Sequence, residues 1–192
     1  VNTKNDRETA LNLLAQAGFV DSDGDGAMDY DNGGGVRAAF APSILVNEEN
    51  PFKVSAAQAI AEGLMAIGIP ATVDAVPFED YQARLKSGNF DIFYGEIRMT
   101  PDFDLRSLIG TSGALNYGGY SNRDTDYLIE QAREQGTDEA KQTLYTQLLA
   151  EMPVAPVAFV RDQVALRSNL MTGFNPSPNW LFHGVGGWKK AK

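Results

Sequence analysis

Cysteine is absent from this 192-residue chain, which excludes disulfide frameworks, thiolate metal sites and cysteine nucleophiles. Histidine is nearly absent: His183 is the only one. It has no second imidazole with which to share a metal, and in a tail rich in Trp and Phe it reads as a packing residue. Basic side chains are scarce, 16 Lys and Arg against 25 Asp and Glu, for a net charge of −9. Phosphate binding needs a concentrated excess of cations. The one basic cluster, Lys189, Lys190 and Lys192, is too short to supply it, so nucleic acid is excluded as a partner. Long apolar runs are missing too: stretches such as 155–160 fall far short of the roughly 20 residues of a membrane-spanning helix. No export signal is visible, but the chain begins at Val1 and reads as a mature or excised segment. The glycine runs at 33–35 and 184–187 lack the Gly-Lys-Ser/Thr ending of a phosphate loop. Thr111-Ser112-Gly113 lacks the glycine spacing of a nucleophile elbow.

What is present can fill a core: 43% of residues are hydrophobic, including ten Phe, seven Tyr and two Trp. Ala10, Leu11, Leu14 and Ala17 recur at helical spacing, so residues 6–17 are a predicted helix stopped by Gly18. The Asp- and Gly-rich stretch 19–35 is a loop or tight hairpin, and 36–46 a strand weakened by Pro42. A second helix is predicted over 55–67, a strand over 71–76 and a short helix over 78–86. Residues 90–97 form the most β-prone run. Two further helices, 124–134 and 137–151, are separated by Gly136, and 154–166 is a strand candidate interrupted by Pro156. Alternating strands and helices indicate an α/β fold, a mixed sheet flanked by helices.

Two constellations carry possible chemistry. Asp21, Asp23 and Asp25 alternate ahead of Gly26, with Asp29 beyond, and such carboxylates can converge on Ca²⁺. Asn32 stands where a calcium loop has its bidentate Glu, and the alternative is a turn using Asp and Gly for local hydrogen bonds. The second lies over 90–110. A strand would deliver Tyr94, Glu96 and Arg98 on alternate positions, Met99-Thr100-Pro101 would break it, and Asp102 would cap a short helix. The carboxyl end of such a strand faces the usual ligand crevice. Arg98 could clamp a carboxylate there, and Glu96 or Asp102 could receive an amine; equally, Glu96 and Arg98 could neutralise each other. Glu96, Asp102 and Asp104 are near one another in sequence, but proximity alone in a chain with 25 acidic residues does not make an active site, and no enzyme is expected.

The segments together resemble one family. The run 10–19 followed by the Asp-Gly loop looks like the start of the second lobe in the peptide-type (oligopeptide, dipeptide, nickel) solute-binding proteins of ABC transporters. Ala66-Ile67-Gly68-Ile69, then Tyr81, Arg84-Leu85 and Gly88-Asn89-Phe90-Asp91, are similar to the family's next helix and strand steps. Asn116-Tyr117-Gly118-Gly119-Tyr120-Ser121-Asn122, with Asp126 and Leu128-Ile129, and the Pro-flanked run 151–157 continue the match in order.

The resemblance implies one lobe of a two-lobe periplasmic-binding-protein-like fold (type II, cluster C). Residues 1–174 would be the C-terminal ligand-binding lobe and 175–192 a tail returning toward a first lobe outside this chain. It also implies an extracytoplasmic, periplasmic or lipid-anchored monomer that captures a peptide or other small ligand for an ABC permease, without a required cofactor. Expected ligand-binding residues are Tyr94, Glu96, Arg98, Met99, Thr100, Asp102, Asn116 and Tyr117. One departure stands out: where peptide binders of the family carry an acid after a Gly-Trp pair, Gly95 is followed by Glu96, and the acid's place holds Met99 or Thr100. The alternative to transport is a calcium-stabilised secreted module built on the Asp21, Asp23, Asp25 and Asp29 loop.

Overall fold

In the computed structural model the described residues are 6–31, 37–100, 103–159, 167, 170–177 and 180–191. They form two compact units, Val1–Ile97 and Arg98–Lys192. The first opens with α1 (Arg7–Gln16), whose N-cap Asp6 accepts the Thr9 amide at 3.0 Å and the Thr9 hydroxyl at 2.8 Å. Next comes an antiparallel sheet of β1 (Phe19–Val20), β2 (Asp29–Asp31) and β3 (Arg37–Ala39), with Phe19 opposite Tyr30 and Tyr30 opposite Ala38. The Phe19 ring stacks on Tyr30 at 4.8 Å, an aromatic cross-strand pair of the kind that holds short strands together.

The strand expected over 36–46 is two strands in different sheets. Pro42, which has no N–H to give to a ladder, falls between β3 and β4 (Ser43–Asn47). From β4 the chain runs through α2 (Pro51–Met65), β5 (Thr72–Val76), α3 (Phe78–Ser87) and β6 (Ile92–Phe93). The sheet order is β5-β4-β6, all parallel, with Ile44 registered against Val73 on one side and Ile92 on the other. The mixture of parallel and antiparallel pairing is therefore divided among separate sheets. Ile44, Leu45 and Val46 are all 0% exposed, a continuous apolar run that marks a strand buried on both faces. Ile44 and Val46 pack with Ala57, Ala71 and the α2 side chains Val54, Ile60, Ala61 and Leu64.

Helix α2 starts four residues before the predicted helix. Asn50 caps it, its side-chain oxygen accepting the Phe52 and Lys53 amides at 3.1 and 3.2 Å, and Pro51 occupies the first turn, where a missing N–H costs nothing. Gly68 follows with φ +84°, and its carbonyl accepts the Met28 amide at 2.7 Å. A Cβ there would sit 3.0 Å from the Gly26 carbonyl, so glycine is what lets the Asp-Gly loop lie against this turn.

The second unit is helical at its centre. The short α4 (Arg106–Ile109), α5 (Arg123–Gln135) and α6 (Asp138–Glu151) meet at Ile109, Ile129 and Leu144. Asn122 caps α5 and Thr137 caps α6, with Gly136 between them. Of the strand expected over 154–166, residues 154–159 carry no regular structure and the rest lie outside the described residues. In the tail, β7 (Met171–Thr172) pairs antiparallel with β8 (Lys189–Lys190). Gly173 makes that hairpin feasible: its φ is +77°, and a Cβ would lie 2.5 Å from the Gly187 carbonyl.

Candidate functional site

The parallel sheet has a switch point. From β4 the chain crosses through α2 to β5 on one side, while β6 pairs on the other. Connections leaving neighbouring strands in opposite directions open a crevice at their carboxyl ends. After β4 that edge carries Asn47, Glu49, Asn50 and the first turn of α2, after β5 it carries Phe78, and after β6 Tyr94 and Glu96. Glu49 is committed to the scaffold. One of its oxygens accepts the Phe78 amide at 2.8 Å and the other the Asn47 side-chain amide at 3.3 Å. It thereby caps α3, whose own N-cap residue, Pro77, makes no side-chain capping bond. The Phe78 amide, with Glu49's own amide and Asn47 assisting, holds the Glu49 carboxyl below its ordinary range.

The strand predicted over 90–97 is only two residues long, Ile92–Phe93. The Tyr94 amide still reaches the Leu45 carbonyl at 2.9 Å, but the Tyr94 carbonyl is taken at 3.1 Å by the buried Tyr81 hydroxyl. The next residue, Gly95, has the Tyr81 hydroxyl 3.0 Å from where its Cβ would be, so the helix crowds the chain off the ladder. Tyr94, Glu96 and Arg98 are consequently not alternate residues of one strand. Tyr94 packs against the core beside Ile44 and Val46. Glu96 pairs with Lys53 at 3.1 Å, with side-chain exposures of 22% for Lys53 and 64% for Glu96.

The remaining expected site residues belong to the second unit. Arg98 is exposed and Met99 and Tyr117 are half-buried, while Asp102 lies outside the described residues. Thr100 braces a turn, its hydroxyl accepting the Asp104 amide at 3.1 Å and its carbonyl the Phe103 amide at 2.9 Å. Asn116 is a structural pin: its side-chain amide donates to the Gly110 and Tyr120 carbonyls at 3.0 and 2.7 Å, and its oxygen accepts the Tyr120 amide at 3.0 Å. Thr100 also lines a cavity of about 490 Å³ with Asp104, Arg106, Thr111, Asp126 and Glu130. Its polar groups are engaged with one another, one cation among three carboxylates. Arg106 approaches Glu130 at 3.6 Å and Asp104 at 3.9 Å, and Asp126 accepts the Thr111 hydroxyl at 2.6 Å and amide at 2.8 Å. Those two bonds, the hydroxyl foremost, keep the Asp126 carboxyl below its usual value.

The Asp-Gly loop brings carboxylate oxygens of Asp21, Asp23 and Asp25 within 4.8 Å of one another, all exposed. Asp29 stands outside this group: at 7% exposure it accepts the Ser22 hydroxyl and, at 3.1 Å, the Ser22 amide. The loop also satisfies itself. Asp21 accepts the Gly24 and Gly26 amides at 2.7 and 3.0 Å, Asp23 that of Asp25 at 3.1 Å, and Asp25 that of Ala27 at 2.8 Å. Sequence reasoning passed over Lys53, because apolar periodicity alone started its helix too late. Asn50-Pro51, a capping residue followed by proline, was the available signal.

A family model described as bacterial extracellular solute-binding proteins, family 5 middle, matches residues 1–116. The oligopeptide-binding protein AppA of Bacillus subtilis is 25% identical over 193 aligned positions, covering 95% of this chain and 34% of that protein. The chain thus spans about a third of the length of this curated relative. The solved structure of Bacillus subtilis AppA with a nonapeptide superposes with a TM-score of 0.69 at 22% identity, over 97% of this chain and 38% of that one. A mannohexaose-bound periplasmic oligopeptide-binding protein from Thermotoga maritima superposes at 0.65 and 22% identity, over 77% and 30%. NikZ from Campylobacter jejuni with Ni(L-His) superposes at 0.57 and 23%, over 73% and 28%. At these identities the superpositions establish the fold alone.

Proposed function

We propose that this chain, which belongs to the family 5 bacterial extracellular solute-binding proteins, is the ligand-binding lobe of a peptide-capturing component of an ABC uptake transporter. The observation that carries the proposal is the carboxyl edge of β5-β4-β6, a topological switch point at which Lys53 and Glu96 meet. The likeness to an oligopeptide-binding protein over 95% of the chain supports peptide as the solute class. Capture is binding without turnover and requires no cofactor. Ligand held by this lobe and a second one favours the closed form, because contacts to both exist only there. Residues 175–192 lead toward that second lobe, a permease reads the closed state, and the protein acts as an extracytoplasmic monomer. The residues proposed to meet the ligand are Tyr94 and Glu96 in the first unit and Arg98, Met99, Thr100, Asp102, Asn116 and Tyr117 in the second.

Native mass spectrometry of the gently purified full-length protein tests this. A retained peptide, lost on replacing Lys53 and Glu96, supports capture. A protein that emerges empty and takes up nothing from a broad peptide library contradicts it.

A second reading rests on the mutual approach of Asp21, Asp23 and Asp25 within 4.8 Å, a start toward the oxygen-rich shell that Ca²⁺ requires. The module would then be stabilised by calcium, and a rise in Tm on adding CaCl₂, absent in Asp23→Asn, would favour it. Transport is the better supported reading because the family match and the likeness to an oligopeptide-binding protein both point to it.

A further inference from the structure

We infer that the cavity of the second unit takes the guanidinium or ammonium of a basic side chain, so that the solutes this protein prefers are peptides carrying arginine or lysine. The inference rests on the peptide-capture reading and adds to it which side chains are selected.

The cavity is built entirely from residues of Arg98–Lys192. Its volume of about 490 Å³ lies within the range of small-molecule pockets. Thr100, one of the residues proposed to meet the ligand, stands in its wall. Glycine lets that wall fold tightly. A Cβ on Gly113 would lie 2.5 Å from the Ser107 carbonyl, and one on Gly110 2.7 Å from the Arg106 carbonyl. The loop after α4 is therefore pressed against the helix it leaves. Ile129, 3% exposed, supplies an apolar surface for the methylene groups of a long side chain.

Charge decides what fits. The lining carries three carboxylates, Asp104, Asp126 and Glu130, and one cation, Arg106. Asp126 is committed to the Thr111 hydroxyl and amide, and one Glu130 oxygen to Arg133 at 2.6 Å. The other Glu130 oxygen and one of Asp104 face the Arg106 guanidinium at 3.6 and 3.9 Å, beyond hydrogen-bond length. The Arg106 side chain is 55% exposed, and such a pair is loosely held. The protein's own guanidinium thus shows which group these two carboxylates accommodate, and it leaves their hydrogen-bonding capacity unfilled. A ligand guanidinium or ammonium enters a site that stays net negative even with Arg133 counted, and it bonds these two oxygens directly. An acidic side chain would meet three like charges, and a neutral one would gain no charge-assisted bond.

The test is calorimetric titration of the full-length protein with alanine-based pentapeptides that carry one arginine at each position in turn. A matched series carries citrulline, which has the shape of arginine without its charge. At one position or more, arginine is expected to bind at least about tenfold more tightly than citrulline. Asp104→Asn/Glu130→Gln should bring that ratio to within about twofold. Arg106→Met, which removes the competing cation, should widen it, a change that a merely structural role would not produce. Melting curves check that the variants fold, and Arg106→Met carries the test if the double variant does not. A ratio near one at every position overturns the inference and leaves capture standing. So does a preference that survives the double substitution, or one that fails to widen in Arg106→Met. If no peptide of either series and no member of a wider library binds, capture itself fails and the inference with it.

Discussion

The Asp91 carboxylate accepts both the backbone amide of Ser43, at 2.9 Å, and its hydroxyl, at 2.8 Å, across 48 positions of sequence. The two residues stand at the amino ends of β6 and β4, so this clasp fixes the register on which the placement of Tyr94 and Glu96 depends. Ser43→Ala removes one of the two bonds. Because the pair is exposed, the expected loss is about 0.5–1 kcal/mol in urea unfolding. Asp91→Ala should cost more than Ser43→Ala, and equal stability of wild type and both variants would contradict the clasp.

The same carboxylate belongs to an acid-sensitive set. The Ser43 amide and hydroxyl lower the Asp91 pKa, the Thr111 hydroxyl and amide lower that of Asp126, and the Ser22 hydroxyl and amide lower that of Asp29. Depressed folded-state values mean the unfolded chain takes up these protons first on acidification. Their stabilisation is therefore full above the ordinary carboxylate range, about pH 4, and is lost as pH falls through the lowered values. Unfolding midpoints should hold between neutral pH and the start of that range as far as these groups contribute, then drop. The drop should be smaller in Asp126→Asn. A midpoint insensitive to acid would contradict the assignment.

Tyr81→Phe tests why β6 is so short. It deletes the hydroxyl that donates to the Tyr94 carbonyl at 3.1 Å, and the expected cost is about 1 kcal/mol. Peptide binding should weaken as well, since the backbone leading to Glu96 loses its anchor. An unchanged affinity together with unchanged stability would mean that the contact positions nothing.

Glu49→Ala removes the acceptor that caps α3. Amide exchange at Phe78 should quicken several-fold while exchange in β4 stays slow, because the cap is local and β4 is buried. Uniformly quickened exchange would instead point to a global role.

Much of the fold was legible in residue patterns. Gly18 and Gly136 announced helix ends, and α1, α5 and α6 sit within a residue of where periodicity put them. Apolar periodicity failed at α2 because Phe52 and Lys53 belong to the helix without belonging to its apolar face, Phe52 being 88% exposed. The strand over 90–97 failed for a tertiary reason: Ile92 and Phe93 find β4, but Tyr81, brought in by α3, captures the next carbonyl. No local propensity encodes that contact. The candidate site was read only in part. Glu96 was visible as a charge after a β-prone run, whereas Lys53 lies 43 positions earlier and meets it only through the β4-α2 crossover. Asn116 was visible as part of a motif, but its three bonds to loop backbone give it a structural task.

The most direct test of peptide capture joins calorimetry with small-angle scattering on the full-length protein. Capture predicts saturable binding of one peptide per molecule and a smaller radius of gyration at saturation, both abolished by Lys53→Met/Glu96→Gln. Absence of saturable binding across a broad peptide library, with an unchanged radius of gyration, would contradict it.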